Sequence, residues 1–315
     1  MARFRQAADF RCTQSNVTET IRTAAGIAAL TRFLLHPKLP RGRLRIMKIL
    51  ILLLAFIPFG LRGSPFQAVL INDADVAEFG GRFPLPRRQL AAAVAAASRA
   101  EARAVVLKFF IDRPADDPDD DAALALAIKQ AKRSVVLQAN VEPTEGAASR
   151  LPERFLRKDL PQSGDFIKGN KSWLPLAIFT DGATAIGFID GLNPAPLVES
   201  YQGHTVPSLL LVALELALGK ASFEPGRVTL GTKSLPLSGG KISLPYPRHD
   251  DLKPISLSAL LAGRANRQLK DAVVIIGYDG KYMDTFPTPI GGIKKHRLFF
   301  YELELAYAAF SGASQ

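Results

Sequence analysis

Short apolar segments that alternate with helical stretches limit the fold of this chain more than any other feature of the sequence. The segments Pro65–Asn72, Ala104–Ile111 and Ser134–Ala139 are rich in aliphatic and β-branched residues, which predicts buried strands. Between them, Pro86–Ser98 and Asp119–Ala131 have the composition and the starting residues of helices. Because parallel strands need a crossover connection, this alternation predicts an α/β sheet that is largely parallel.

The same alternation returns after the polar stretch from Asn140 to Lys171, which predicts a long surface excursion and not a domain boundary. We expect further strands at Leu176–Phe179, Ala183–Ile189 and Ala272–Gly277, helices at Ser208–Leu218, Ser256–Leu261 and Leu298–Phe310, and a hairpin that joins Arg227–Leu230 to Lys241–Leu244 through Gly239-Gly240. The predicted fold class is therefore α/β: a single layered domain over residues 64–315, with a largely parallel mixed sheet flanked by helices, plus a small hairpin.

The segment MKILILLLAFIPFGLRGS, Met47 to Ser64, combines a basic start, an apolar centre and small residues at its end. Its apolar part is interrupted by Pro58 and Gly60 and is shorter than the roughly 20 residues that a membrane-spanning helix needs. This order of features is typical of a secretory signal peptide. We expect residues 47–63 to be a signal peptide, or an N-terminal membrane anchor if it is not cleaved; the alternative is a buried core segment.

Residues 1–46 differ in charge from the rest of the chain. They hold nine Lys and Arg against two acidic residues, and we interpret them as a basic leader or a mis-assigned start, with Met47 favoured as the true initiator. From Ser64 onward the chain has 29 basic and 27 acidic residues, so its net charge gives no support to a nucleic-acid partner. The only cysteine, Cys12, precedes Met47, which excludes an internal disulfide and a cysteine-ligated metal in the remainder.

Residues with reactive side chains do not form a catalytic motif. An acidic cluster between the second strand and its helix favours a helix start over a Ca²⁺ site, because it lacks the ligand spacing of a calcium loop: Asp112, Asp116, Asp117, Asp119, Asp120 and Asp121. No histidine pair has zinc-site spacing, and no G-x-S-x-G turn is present. We predict no catalytic residues, no metal and no cofactor.

The loop Gly277-Tyr278-Asp279-Gly280-Lys281 follows a predicted buried strand, where open α/β sheets form ligand crevices. It matches neither the dinucleotide nor the P-loop glycine pattern. From these residues alone, ligand binding and a simple turn of the chain both remain open.

Two stretches resemble a known family. VLINDADVAEFGGRFPLPR, Val69 to Arg87, and ISLSALLAGRANRQLKDAVVIIGYDGKYMDTFPTPIGGIKKH, Ile255 to His296, are similar to the two ends of the CHASE2 domain, an extracytoplasmic sensory module. The resemblance covers Pro65 to Phe310. The second stretch is the more specific, with a serine-capped helix, a strand ending in glycine, an aspartate before Thr-Pro, and a histidine.

The chain also departs from the family pattern at several positions. Phe83 and Leu85 stand where tryptophans are usual, Arg297 stands where alanine is usual, and Gly187–Pro196 lacks the Arg and the paired Asp of the usual turn. We expect the transmembrane helices and the output domain that usually follow this module to be absent.

The resemblance implies an exported sensory domain, periplasmic or extracellular, that binds a small molecule or a membrane signalling protein and has no catalytic output of its own. Membrane contact would come only through residues 47–63 if they stay attached. We expect ligand or partner binding to involve Asp73, Gly277, Tyr278, Asp279, Asp284, Thr288, Pro289 and His296, with the loop Tyr282–Ile293 as the docking surface. Two alternatives are an exported hydrolase that uses Asp73, Asp284 and His296, and a structural remnant without a ligand.

Overall fold

The computed structural model describes residues 64–142, 150–162, 164–189 and 193–312. All of them belong to the second of the two units into which the chain divides, Gly63–Gln315. The expectations for residues 1–46 and 47–63, and for the central part of the Gly187–Pro196 turn, lie outside the described residues.

Strands and helices alternate along the described chain. The strands are β1 (Phe66–Ile71), β2 (Ala104–Leu107), β3 (Ser134–Ala139), β4 (Lys168–Gly169), β5 (Ala185–Phe188), β6 (Ala195–Pro196), β7 (Val198–Tyr201), β8 (His204–Pro207), β9 (Ser222–Glu224), β10 (Arg227–Leu230), β11 (Lys233–Pro236), β12 (Lys241–Ile242), β13 (Val273–Tyr278), β14 (Thr285–Thr288) and β15 (Gly291–Lys294). The helices are α1 (Asp73–Glu78), α2 (Arg87–Arg99), α3 (Pro118–Gln130), α4 (Ala177–Thr180), α5 (Leu209–Leu218), α6 (Leu257–Leu261), α7 (Asn266–Leu269) and α8 (Lys295–Ser311). None of these described helices combines the length and apolarity that crossing a membrane would require.

A five-stranded parallel sheet forms the centre, with the strand order β1-β13-β2-β3-β5. Its strands are buried along nearly their whole length, as expected for a parallel sheet covered on both faces. The predicted α/β fold class, with small antiparallel hairpins beside a parallel sheet, is confirmed.

The two faces of the sheet have separate apolar cores. Helices α2, α3 and α6 cover one face, where Val69, Leu107 and Ile276 are buried. Helices α5 and α8 cover the other face, where Val106, Ile275 and Phe299 are buried. We call these the α2/α3 face and the α8 face.

Both edges of the sheet carry extra backbone contacts. At the β1 edge, the Leu70 amide donates to the Ile255 carbonyl at 3.0 Å, and the Ile255 amide donates to the Ala68 carbonyl at 2.9 Å. At the β5 edge, Phe188 forms an isolated parallel bridge with Ser208. Neighbouring loop segments therefore cover part of each edge strand.

Two predicted elements are wrong. Leu176–Phe179 does not form a strand: Ala177–Thr180 is a short helix, because a four-residue apolar run has no periodicity that separates the two states. Lys241–Leu244 does not pair with Arg227–Leu230. Instead, β10 pairs with β9 and β11, and β12 pairs with β6.

Capping residues fix where the main helices begin. Ser208 and Ser256 accept hydrogen bonds from Leu211 and Ala259, as the predicted starts of α5 and α6 require. Asp117 caps α3 through the amide of Asp119, at 3.0 Å. This confirms the helix-start interpretation of the acidic cluster.

The remaining carboxylates of that cluster hold α3 against α2. Asp121 pairs with Arg87, and Asp120 pairs with Arg88 and accepts the Arg87 amide at 3.0 Å. Both carboxylates are buried, and their charges are compensated by the two arginines.

Candidate functional site

Asp73 lies directly beyond the carboxyl end of β1, beside the carboxyl end of β13. Its carboxylate accepts the Tyr278 hydroxyl at 3.2 Å and the backbone amide of Lys281 at 3.0 and 3.1 Å. Gly280 passes so close that a Cβ atom there would collide with the Tyr278 hydroxyl and the Asp73 carboxylate. The loop predicted from glycine spacing therefore folds tightly around Asp73.

An aromatic stack covers this loop. Phe83 stacks on Tyr278 with ring centroids 4.1 Å apart, and Tyr282 stacks beside Phe83 at 5.3 Å. Tyr278 is buried, whereas 37% of Phe83 and 60% of Tyr282 remain exposed. The stack thus presents aromatic surface to solvent next to a hydrogen-bonded carboxylate.

A second aromatic pair lies beyond the ends of β2 and β3. Phe110 meets Trp173 edge to face at 4.8 Å, and both are exposed. The Trp173 amide donates to the side-chain oxygen of Asn140, the residue after β3, at 2.8 Å. We call Phe83, Phe110, Trp173 and Tyr282 the aromatic rim. Among the described residues, these four are the exposed Phe, Tyr and Trp side chains. All four lie at the carboxyl end of the sheet.

Helix α1 holds Asp73 in place through a buried carboxylate. Asn72 caps the helix, and the Asp75 carboxylate in turn accepts a hydrogen bond from the Asn72 amide at 3.1 Å. The same Asp75 carboxylate accepts the amides of Leu257 and Ser258 at 3.1 and 3.0 Å. One side chain therefore joins the starts of α1 and α6, and the sequence analysis had not identified it.

His296 lies on the α8 face, in contact with Gly277. Its Nδ1 accepts the Tyr278 amide at 2.9 Å, and a Cβ atom on Gly277 would approach that Nδ1 to 2.8 Å. Burial lowers the pKa of His296 well below its ordinary value, with a further lowering from the nearby charge of Lys108. A neutral imidazole also agrees with Nδ1 acting as an acceptor.

A row of buried polar groups continues from His296 across the carboxyl ends of the strands. Lys108, the residue after β2, donates from Nζ to the Gln138 Oε1 of β3 at 3.2 Å and lies 4.5 Å from the centroid of the Phe299 ring. Glu302, six residues along α8 from His296, accepts the Asn193 amide at 3.2 Å. We call Lys108, Gln138, His296 and Glu302 the polar seam.

Burial shifts the pKa values of two seam residues, Lys108 and Glu302, toward neutral pH. It lowers the pKa of Lys108 to about 7, against a smaller upward effect of the Glu302 charge. It raises the pKa of Glu302 to about 7, opposed by the Asn193 amide and by Lys108. Two oppositely charged groups on neighbouring elements therefore titrate in the same pH range.

Asp279 and Arg297 tie the loop after β13 to α8. The guanidinium of Arg297 donates to Asp279 at 3.1 Å and to Asp250 at 2.6 and 2.9 Å. Although burial opposes its charged form, the hydrogen bond and charge of Asp250 raise the pKa of Arg297. Arg297, the departure from the family pattern, thus has a structural role.

The predicted docking loop, Tyr282–Ile293, contains the antiparallel hairpin β14–β15. The Thr288 hydroxyl donates to the Gly291 carbonyl at 2.6 Å, and Pro289 is exposed in the turn. Asp284 forms an exposed ion pair with Lys295 at 2.8 Å, which lowers the pKa of its carboxyl. This hairpin lies beside the tight loop around Asp73 and has its own local contacts.

The hydrolase hypothesis required hydrogen bonds among Asp73, Asp284 and His296. Within the described ranges, no hydrogen bond joins any two of them, since each has a different partner. Within the same described ranges, no three or more His, Cys, Asp or Glu side chains are grouped so that they could hold a metal ion. The geometry gives this alternative no support.

Sequence reasoning found Asp73, Tyr278 and His296 but missed Lys108, Gln138 and Glu302. A signal existed for two of them. Lys108 and Gln138 continue the apolar runs AVVL and SVVL, and alternation places each on the same face as Val106 and Val136, which lie in the α8-face core. A charged residue in phase with a buried face predicts a buried polar site.

Comparison with known proteins gives one match. The family model described as the CHASE2 domain matches residues 46–313, which is most of the chain. Neither the curated proteins nor the solved structures include a significant match.

Proposed function

This chain belongs to the CHASE2 domain family of extracytoplasmic sensory domains, and from that membership we propose that it recognises a small molecule or a protein partner at the carboxyl end of its sheet. We further propose that it acts in the periplasm or outside the cell, without a catalytic output of its own. The order of features in residues 47–63 supports export.

The aromatic rim is the observation that carries the proposal. Exposed aromatic side chains are the residues that most often anchor a partner or a ligand. They are concentrated here where open α/β sheets form their binding crevices. The other large exposed apolar residues of the described surface are aliphatic: Leu126 on α3, Ile178 on α4, and Ile290 in the turn of the β14–β15 hairpin.

The groups behind the rim suit recognition as well. Asp73 offers a carboxylate beside Tyr278, and Asn140 offers a side-chain amide beside Trp173. A few fixed polar groups next to aromatic surface are the usual composition of a ligand site. Asp279, Asp284, Thr288 and Pro289 are proposed to contribute from the neighbouring loop and hairpin.

Site-specific photocrosslinking tests the proposal. A photoreactive amino acid at position 282, in the full chain expressed in cells, should form an adduct with a partner in the cell envelope. The matched control is position 126, whose side chain is similarly exposed, at 53% against 60%, but lies on α3. Equal adducts from both positions, or none from position 282, would contradict a rim-specific partner.

Export has its own test. N-terminal sequencing of the protein recovered outside the cytoplasm should give a start at Gly63, Ser64 or a nearby residue. Recovery of the uncleaved chain from the cytoplasm alone would contradict export without affecting the family assignment.

A further inference from the structure

A separate cavity opens at the opposite, amino end of the sheet. It has a volume of about 390 Å³, within the usual range for small-molecule sites. Its walls come from the first residues of β3 and β5, the second half of α5 and the segment around Phe155. None of the rim or seam residues lines it.

The inner surface of this cavity is mainly apolar. Val136 and Ile186 form its floor on the sheet, Val212 and Leu216 of α5 form one wall, and Phe155 forms another. Four of these side chains are buried, so their positions are fixed by packing. Such a surface suits the hydrocarbon part of a ligand.

The charged residues of the cavity are mostly basic. Arg154, Arg157 and Lys220 line it, against one carboxylate, Glu215. Arg157 donates two hydrogen bonds to the Glu215 carboxylate, at 2.6 and 2.9 Å, and Lys220 donates a third at 3.2 Å. The Ala221 amide also donates to Glu215, at 3.1 Å, so this carboxylate is fully engaged.

Arg154 is the cation that remains available. Its guanidinium lies 4.7 Å from the centroid of the Phe155 ring and donates one hydrogen bond to the Thr180 carbonyl. Across the ranges that the structure describes, no ion pair involves Arg154. An arginine has five N–H donors in a planar fork that matches a carboxylate, and Arg154 is exposed and lines the cavity.

We propose that this amino-end cavity binds a small amphipathic monoanion, whose hydrocarbon part contacts Val136, Ile186 and Leu216 and whose carboxylate pairs with Arg154. Because Arg157 is paired with both Glu215 and Asp159, and Lys220 with Glu215, the positive charge that selects the anion over a cation or a neutral analogue of the same size is that of Arg154. This site is independent of the recognition proposed at the aromatic rim.

Calorimetric titration of the full chain with octanoate tests this site, with octanamide as the neutral analogue. We expect saturable binding of octanoate and much weaker binding of octanamide. R154Q should weaken octanoate binding about tenfold, the loss expected for one charge-assisted contact. R150Q removes the same charge from an exposed arginine outside the cavity and should leave the affinity unchanged.

Two further measurements separate this site from the rim. A185F should fill the cavity and abolish octanoate binding. If A185F does not fold, the octanoate affinity of R154Q decides the proposal. Trp173, the only tryptophan of the chain, reports on the rim, so its fluorescence should stay constant as octanoate saturates the protein. The proposal is overturned by absent saturation, by equal affinity for octanamide, by equal losses in R150Q and R154Q, or by a saturable Trp173 response.

Discussion

The two faces of the central sheet differ in the polarity of the side chains at the carboxyl ends of the strands. On the α2/α3 face, the strand side chains stay apolar or aromatic to the ends of the strands, and the buried carboxylates lie on the helices: Asp75 between the starts of α1 and α6, and Asp120 and Asp121, which pair with Arg88 and Arg87. On the α8 face, the apolar core stops one residue earlier, and the polar seam takes its place. The same strands therefore support packing on one side and, at one end of the other side, a buried electrostatic network.

The difference is confined to the strand ends. Burial of an ionisable side chain costs several kcal/mol unless partners compensate it, whereas an apolar side chain at the same depth stabilises the fold. On the α8 face, ionisable side chains are buried despite this cost, and they lie next to the proposed recognition surface. Perturbed pKa values next to a binding surface are typical of functional sites.

The largest effect should come from the apolar layer common to both faces. Ile275 and Ile276 are neighbours in β13 and point to opposite faces, and both are buried. We expect Ile275→Ala and Ile276→Ala each to lower the free energy of unfolding by about 2 to 5 kcal/mol. Urea unfolding measures this; a much smaller loss for Ile275 would show that the α8 face is loosely packed throughout, not only at its end.

Glu302→Gln should change how stability depends on pH. Because the folded protein keeps a proton on Glu302 that the unfolded chain has released, stability falls as pH rises from about 4.5 to about 7. The wild type should lose on the order of 3 kcal/mol relative to Glu302→Gln over that range. The effect of His296, which raises stability with pH up to about 6.5, is common to both proteins and cancels in the difference.

Urea unfolding of both proteins at several pH values gives this difference directly. A difference that does not vary between pH 4.5 and 7 would mean that Glu302 is already ionised in the folded state. The seam would then be an ion pair at all these pH values and not a titrating group.

Lys108→Met should act on the alkaline side. Between about pH 7 and 10.5 the unfolded chain holds a proton that the folded Lys108 has released, so the stability of the wild type rises with pH in this window. The variant lacks that rise, and the stability difference should shift in favour of the wild type as the pH increases. Parallel pH profiles for the two proteins would contradict a lowered Lys108 pKa.

The smallest effect should come from Asp284→Asn. Its ion pair with Lys295 is exposed on both sides, and exposed pairs are screened by solvent. We expect no measurable change in urea unfolding. A clear loss would mean that the hairpin β14–β15 contributes to the fold and is not only a surface extension.

The sequence sufficed for elements with strong periodicity and failed for short ones. Ser134–Ala139 and the cap at Ser208 were predicted correctly because an apolar run and a capping residue act locally. β12 pairs with β6, more than forty residues away, and no local pattern specifies such a partner. The candidate site has the same explanation: Asp73 and Tyr278 directly follow predicted strands, whereas the seam forms only when α8 brings Phe299 and Glu302 to Lys108 at the end of β2.

The covered sheet edges limit how another protein can approach. Recognition by strand addition needs a row of unused amides and carbonyls along an outer strand. At Ala68 and Leu70 that row is already occupied by Ile255, and at Phe188 it meets Ser208. Another protein chain therefore cannot add a strand to the sheet at these positions, which disfavours fibre-like self-assembly. Side-chain contacts then decide which molecules bind.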